Sequence, residues 1–255
     1  IFRPGRFGAS QVAVVSVDDD YCRDLYDELS AGGDWRTVAI SVDGPVDDGV
    51  YVSDGELVDT ADTADWTIGD IETLRGRHNW QNAAAAWAVA RTQGVAPARI
   101  AAALGTYPGL PHRLEAIAEI DGVRYINDSK ATNGEAAARA LSSLSDIYWI
   151  IGGIAKEDGL GPTDPWLGHV RHAFLIGEAA DAFEAHLDGR VPVTRSGDLV
   201  SAVRDACVQA HADGADRPVV LLSPACASFD QYKSFVARGD HFRDLVRALQ
   251  NGGRA

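Results

Sequence analysis

Short blocks of apolar residues separated by polar ones run the length of the chain, and their spacing predicts a mixed α/β protein. Residues 11–17 form a short apolar strand that ends in Asp18-Asp19-Asp20, and residues 21–29 predict a helix capped by that acidic run. Residues 37–41 predict a second strand. Residues 49–52 and 56–58 flank Asp54-Gly55, a hairpin turn pair. An alanine-rich helix spans 80–92 and is closed by Gly94; Pro97 starts another over 97–104. The following stretch, Gly105-Thr106-Tyr107-Pro108-Gly109-Leu110-Pro111, is dense in glycine and proline, which places a domain boundary there.

Beyond it the pattern changes. Residues 114–120 and 123–127 predict a hairpin around Asp121-Gly122. Apolar strand-like runs recur at 147–151, 173–176, 191–194 and 219–222, and helical stretches at 134–144, 178–187, 199–211 and 235–249 lie between and after them. Such alternation predicts a mostly parallel sheet with helices on both faces, whose ligand site lies beyond the C-terminal ends of the strands.

Composition narrows the function. The chain has 255 residues, 46% of them apolar, which suits one large domain or two ordinary ones. Lys+Arg number 23 against 37 Asp+Glu, a net charge of −14 that repels phosphate backbones and argues against nucleic-acid binding. No apolar run approaches the roughly 20 residues of a membrane span, so no membrane insertion is expected. Cys22, Cys207 and Cys226 show no paired spacing and read as reduced thiols of a cytoplasmic protein. The chain contains no Met and opens on Ile1-Phe2-Arg3-Pro4, so a fragment or processed chain is expected. Only three lysines occur, Lys130, Lys156 and Lys233.

Five segments carry candidate chemistry. Asn127-Asp128-Ser129-Lys130-Ala131-Thr132-Asn133 lies between a strand and a helix, where polar side chains make an anion or nucleotide site or simply cap the helix through Asp128 or Asn133. Asn79 and Asn82 are three apart on one helical face, suited to a purine edge or to capping. Arg113, beside the boundary, is a phosphate clamp or a surface arginine. Gly152-Gly153 permits close approach of a ligand, with Lys156 reaching in, or is an ordinary turn. Ser228 caps a helix or holds a carboxylate, and Cys226 lies in an apolar setting.

In order and spacing, GRHNWQNA, GLPHRLE, INDSKATN, GGIAK and LLSPACASFDQYKSF resemble the Mur ligases of peptidoglycan synthesis, and among them the D-glutamate-adding members. The resemblance runs from about Val12 to Leu249. It implies that residues 1–109 are the C-terminal part of a P-loop-type ATPase domain and 110–255 a Rossmann-like domain that binds D-glutamate. The activity implied is cytoplasmic ligation of D-glutamate to UDP-N-acetylmuramoyl-L-alanine, driven by ATP and Mg²⁺ through an acyl phosphate, by a monomer.

The resemblance assigns Asn79 and Asn82 to adenine, Arg113 to the ATP phosphates and Asp128 to the ribose. Lys130 lies near the phosphates and the nucleophile as the catalytic lysine. Thr132, Lys156, Ser228 and the backbone around Phe235 hold the carboxylates of D-glutamate. ATP contacts on both sides of Gly109 imply domain closure on binding. No G-x-x-x-x-G-K-[ST] phosphate loop occurs in the chain, and the metal ligands are expected upstream, so this piece alone is expected to be inactive. The alternatives are a non-catalytic α/β ligand-binding fragment, or another Mur or folylpolyglutamate-type ligase on the same scaffold.

Overall fold

The computed structural model describes residues 11–62, 64–157 and 159–252. The chain divides into two compact units, the first ending at Pro108 and the second starting at Gly109. In the first unit a five-stranded sheet runs in chain order: β1 (Gln11–Ser16), β2 (Trp35–Ser41), β3 (Gly49–Ser53), β4 (Glu56–Asp59) and β5 (Asp65–Thr67). The first three are parallel and the last two antiparallel. Helix α1 (Asp20–Gly32) is capped by Asp19, whose side chain accepts from the Cys22 amide. Helix α2 (Arg77–Thr92) buries Ala83, Ala84, Trp87 and Ala88 against Val38, Ile40, Val50, Val52 and Leu57, and α3 (Pro97–Gly105) adds Ile100. Alanines on the buried stripe let α2 lie close to the sheet, and Trp87 fills the remaining depth.

The second unit is a six-stranded sheet built from β6 (Glu115–Ile120), β7 (Val123–Asn127), β8 (Ile147–Gly152), β10 (Val170–Ile176), β11 (Val193–Gly197) and β12 (Val219–Leu222). Its spatial order is β11-β10-β8-β12-β7-β6, parallel throughout except for the β6–β7 hairpin. Two further short strands, β9 (Ile154–Ala155) and β13 (Cys226–Ala227), pair with each other. Strand residues alternate between the two faces. Ile147, Trp149 and Ile151 pack with α4 (Gly134–Ser142) and α5 (Ala180–Leu187). Tyr148 and Ile150 pack with α6 (Leu199–Ala212) and α7 (Phe235–Gln250). The chain leaves β7, builds outward through β8, β10 and β11, and returns to insert β12 between β8 and β7. That reversal is a topological switch point, and ligands of such sheets bind outside the C-terminal ends of the strands there, here β7, β8 and β12.

The expected strands and helices are present, with edges shifted by a few residues. Besides the 3-10 helices Glu72–Leu74 and Gly161–His169, three short strands have no counterpart in the sequence reading: β5, β9 and β13. The last two are two-residue strands, too short for any periodicity. No helix among the described residues is long and apolar enough to cross a membrane.

Candidate functional site

The loops beyond the C-terminal ends of β7, β8 and β12 carry most of the residues singled out above. Asp128 follows β7 directly, and its amide donates to Leu222 O at 2.7 Å, so the strand ladder itself fixes it beside β12. It does not cap α4. Asn133 does, accepting from the Ala136 amide at 2.9 Å. The Asp128 carboxylate accepts instead from Ser223 Oγ at 2.8 Å and from the Leu114 amide at 3.2 Å. Burial pushes it up to about 7 from 3.8, against these two hydrogen bonds and the positive charge of Arg113, all of which pull it down.

That shift makes stability depend on pH. Folded Asp128 keeps its proton up to about pH 7, whereas the unfolded carboxyl releases it near pH 4. Folding therefore takes up a proton between these values, and the contribution of Asp128 to stability is lost as pH rises from about 4 to 7. Urea unfolding of the wild type and Asp128→Asn at pH 5 and 7.5 should show the wild type losing ground to the variant at the higher pH. An unchanged difference would contradict a raised Asp128.

Lys130 is half-buried in the same loop. Its amide donates to His112 O at 3.0 Å, and its ammonium lies 4.3 Å from the centre of the Phe235 ring. His112 is buried, with φ +63, and its Nδ1 meets Asn127 Nδ2 at 3.0 Å. His112 thus holds the loop, and its Nδ1 is not free to face a substrate. Arg113, next to it, is exposed.

Ser228 lies after β13 and is 2% exposed. It caps no helix: Ser234 caps α7, accepting from the Ala237 amide at 3.1 Å. The Ser228 carbonyl closes a turn by accepting from the amides of Gln231 and Tyr232, but its hydroxyl is buried without a hydrogen-bond partner. A buried hydroxyl left unpaired in the protein is a ready contact for a ligand. Pairing of β9 with β13 sets Ala155 opposite Cys226, which brings the exposed Lys156 alongside this loop. Thr132 is half-buried just before the cap of α4.

Gly152 and Gly153 are required by the packing of the protein itself. A side chain at Gly152 would meet Ile176 O at 1.8 Å, and one at Gly153 would meet Ala227 O at 2.3 Å. Both have φ near +130, and their close neighbours are backbone.

Asn79 and Asn82 belong to the first unit. Helix α2 starts three residues earlier than the sequence predicts, after Gly76 at φ +93, so Asn79 is inside its first turn and not a cap. Its Nδ2 donates to Arg75 O at 2.9 Å, which leaves the side-chain oxygen as an acceptor; Asn82 is exposed one turn on. The helix is braced by Gln81, which donates to Asp18 and Ser16. Asp18, the first residue of the acidic run, leaves the capping of α1 to Asp19 and turns to Ser41 Oγ and the Val42 and Asp43 amides.

One buried group escapes the sequence reading. Arg238 on α7 is 1% exposed and donates to Ser129 Oγ, Ser129 O and Cys226 O. A signal for it exists: Phe235, Arg238, Phe242 and Val246 share one helical face, so a charged residue stands in an apolar stripe. Among the described residues no group of three or more His, Cys, Asp or Glu is placed to hold a metal ion.

The chain is similar to known proteins. The family described as Mur ligase, glutamate ligase domain matches residues 112–226. The UDP-N-acetylmuramoylalanine--D-glutamate ligase of Paramagnetospirillum magneticum is 50% identical over 243 residues, covering 95% of this chain and 53% of the relative. The enzyme of that name from Rhodospirillum rubrum is 47% identical over 250 residues, covering 97% and 51%. The chain thus spans about half the length of the curated relatives it matches. Among solved structures, the UDP-N-acetylmuramoylalanyl-D-glutamyl-2,6-diaminopimelate--D-alanyl-D-alanyl ligase of Acinetobacter baumannii superposes with a TM-score of 0.59 at 17% identity, over 97% of this chain and 52% of that one. A Yersinia pestis bifunctional folylpolyglutamate synthase/dihydrofolate synthase, complexed with AMPPNP and Mn ion, gives 0.58 at 19% identity, over 94% and 53%. At these identities the structures establish the fold alone.

Proposed function

We propose, from the match of residues 112–226 to the family described as Mur ligase, glutamate ligase domain and from the similarity along 95% of the chain to a UDP-N-acetylmuramoylalanine--D-glutamate ligase, that this chain is part of an ATP-dependent amide ligase. The reaction joins D-glutamate to UDP-N-acetylmuramoyl-L-alanine in bacterial peptidoglycan synthesis, in the cytoplasm. The observations that carry this reading are the loop after β7, where Ser223 holds buried Asp128 and Lys130 rests on Phe235, and the buried, unpaired hydroxyl of Ser228. Residues 1–109 are the proposed end of the ATPase domain and 110–255 the D-glutamate-binding domain.

ATP supplies the phosphoryl group that activates the substrate carboxylate as an acyl phosphate, which the amine of D-glutamate then attacks. Asn79 and Asn82 offer side-chain amides to adenine, and Asp128 accepts from the ribose hydroxyls. Arg113 and Lys130 supply positive charge where anions must approach one another. Lys156, Thr132, Ser228 and the backbone at Phe235 hold the carboxylates of D-glutamate. Mg²⁺ is the proposed partner of the ATP phosphates. Among the described residues no three or more His, Cys, Asp or Glu side chains cluster to hold the ion, and none is assigned to it.

The test is phosphate release by the full-length protein carrying this chain, given ATP, UDP-N-acetylmuramoyl-L-alanine and a panel of amino acids. D-glutamate should be required. In the same assay Lys156→Ala and Ser228→Ala should each raise the apparent KM for D-glutamate about tenfold or more, and raise that for ATP less, because each removes a carboxylate partner worth about 1.5–3 kcal/mol. Release that ignores D-glutamate, or unchanged D-glutamate saturation in both variants, would overturn the assignment.

A further inference from the structure

Arg238 has no carboxylate within ion-pairing distance among the described residues, although it is almost fully buried. Burial of an unpaired guanidinium is costly. Desolvation lowers its affinity for the proton, to about 10, offset in part by Cys226, Asp230 and Tyr232. Its contacts are instead three neutral oxygens, two on Ser129 and one on β13: Nε donates to Ser129 Oγ at 3.0 Å, and Nη2 to Ser129 O at 3.0 Å and Cys226 O at 3.1 Å. A planar, rigid fork suits that task; a lysine ammonium on a flexible stem does not.

Ser129 is the residue so fixed, and every polar atom it has is used. Its amide donates to Asn127 Oδ1, and its hydroxyl donates to Phe235 O while accepting from Arg238. Lys130 comes next in the chain, and its ammonium rests on the ring of the same Phe235. The first turn of α7 therefore holds both ends of one arrangement: the backbone from which Lys130 projects and the surface on which its charge sits. The Arg238 bond to Cys226 O ties in the loop that leads to Ser228.

We propose that Arg238 is a positioning residue for Lys130, locking the Ser129 backbone so that the Lys130 ammonium is held over Phe235. Its kinetic consequence rests on the ligase reading; its structural consequence does not. The chain has three lysines, so a spectrum of lysine-labelled protein contains three ε-methylene signals. Lys130, identified by Lys130→Arg, should be shifted upfield by the Phe235 ring and should lose that shift in Phe235→Leu. Arg238→Met, and Arg238→Lys once the fourth lysine signal it adds is set aside, should move the Lys130 signal toward those of Lys156 and Lys233. Should Arg238→Met fail to fold, Arg238→Lys and Ser129→Ala provide the same readout.

In the full-length protein, Arg238→Lys should lower kcat at least tenfold with smaller changes in KM. In a Lys130→Ala background the same substitution should have little further effect, because the two residues act as a unit. A Lys130 signal unmoved in folded Arg238 variants overturns the proposal. So does an Arg238→Lys penalty that is undiminished without Lys130. If the full-length protein releases no phosphate at all, the ligase reading fails, and the lysine spectrum still decides whether Arg238 positions Lys130.

Discussion

Replacing Lys130 by alanine in the full-length protein should lower ligase turnover roughly 100- to 1,000-fold, the usual cost of removing a charge aimed at a developing anion. The fold should hardly notice. The Lys130 ammonium makes no ion pair among the described residues, and its stacking on Phe235 is worth about 0.5–1 kcal/mol at a partly exposed site. The amide bond to His112 O survives the substitution. Phosphate release in a single turnover, beside urea unfolding of the same variant, separates the two effects. Turnover within about threefold of wild type would remove Lys130 from the chemistry. An equal loss of stability and rate would make it a folding residue.

Trp149→Ala should lower the unfolding free energy of the second unit by about 3–5 kcal/mol, a large share of what holds a domain folded. Trp149 is fully buried in β8, opposite Ala173 on one neighbouring strand and Leu221 on the other. Its Nε1 donates to Ser223 O at 2.8 Å. Removal leaves both a cavity and an unpaired carbonyl in the residue whose hydroxyl holds Asp128. Trp149→Phe keeps most of the volume and loses the hydrogen bond, so its cost should be smaller, about 1–3 kcal/mol. Urea unfolding of the 255-residue chain measures both. A cost below about 1 kcal/mol for Trp149→Ala would mean that the sheet repacks around the gap.

Apolar periodicity made the elements legible. Runs such as residues 123–127 and 219–222 are bounded sharply by turn residues, and the strands there begin and end as expected. Periodicity was weakest at the helix starts. Asn79 looks like a cap by residue type, yet Gly76 opens α2 because its positive φ lets the chain turn before the helix begins. Asp18 is likewise a capping residue by type. It is taken instead by Ser41 and the amides after β2, which lie 23 and more residues along the chain and are adjacent only once β1 and β2 pair.

The sequence by itself determined the α/β alternation, the boundary near Gly109, and the five segments whose order and spacing carry the resemblance. It did so because hydrophobic period, turn chemistry and motif are local properties of the chain. Tertiary structure alone decided the protonation of Asp128, the unpaired hydroxyl of Ser228, and the place of Arg238 beneath Ser129. Each depends on residues that sheet order brings together: β12 returns between β8 and β7, and only then do Ser223, Cys226 and α7 stand beside the loop after Asn127. Local sequence cannot specify such an environment, because burial and hydrogen-bond partners belong to the packed whole.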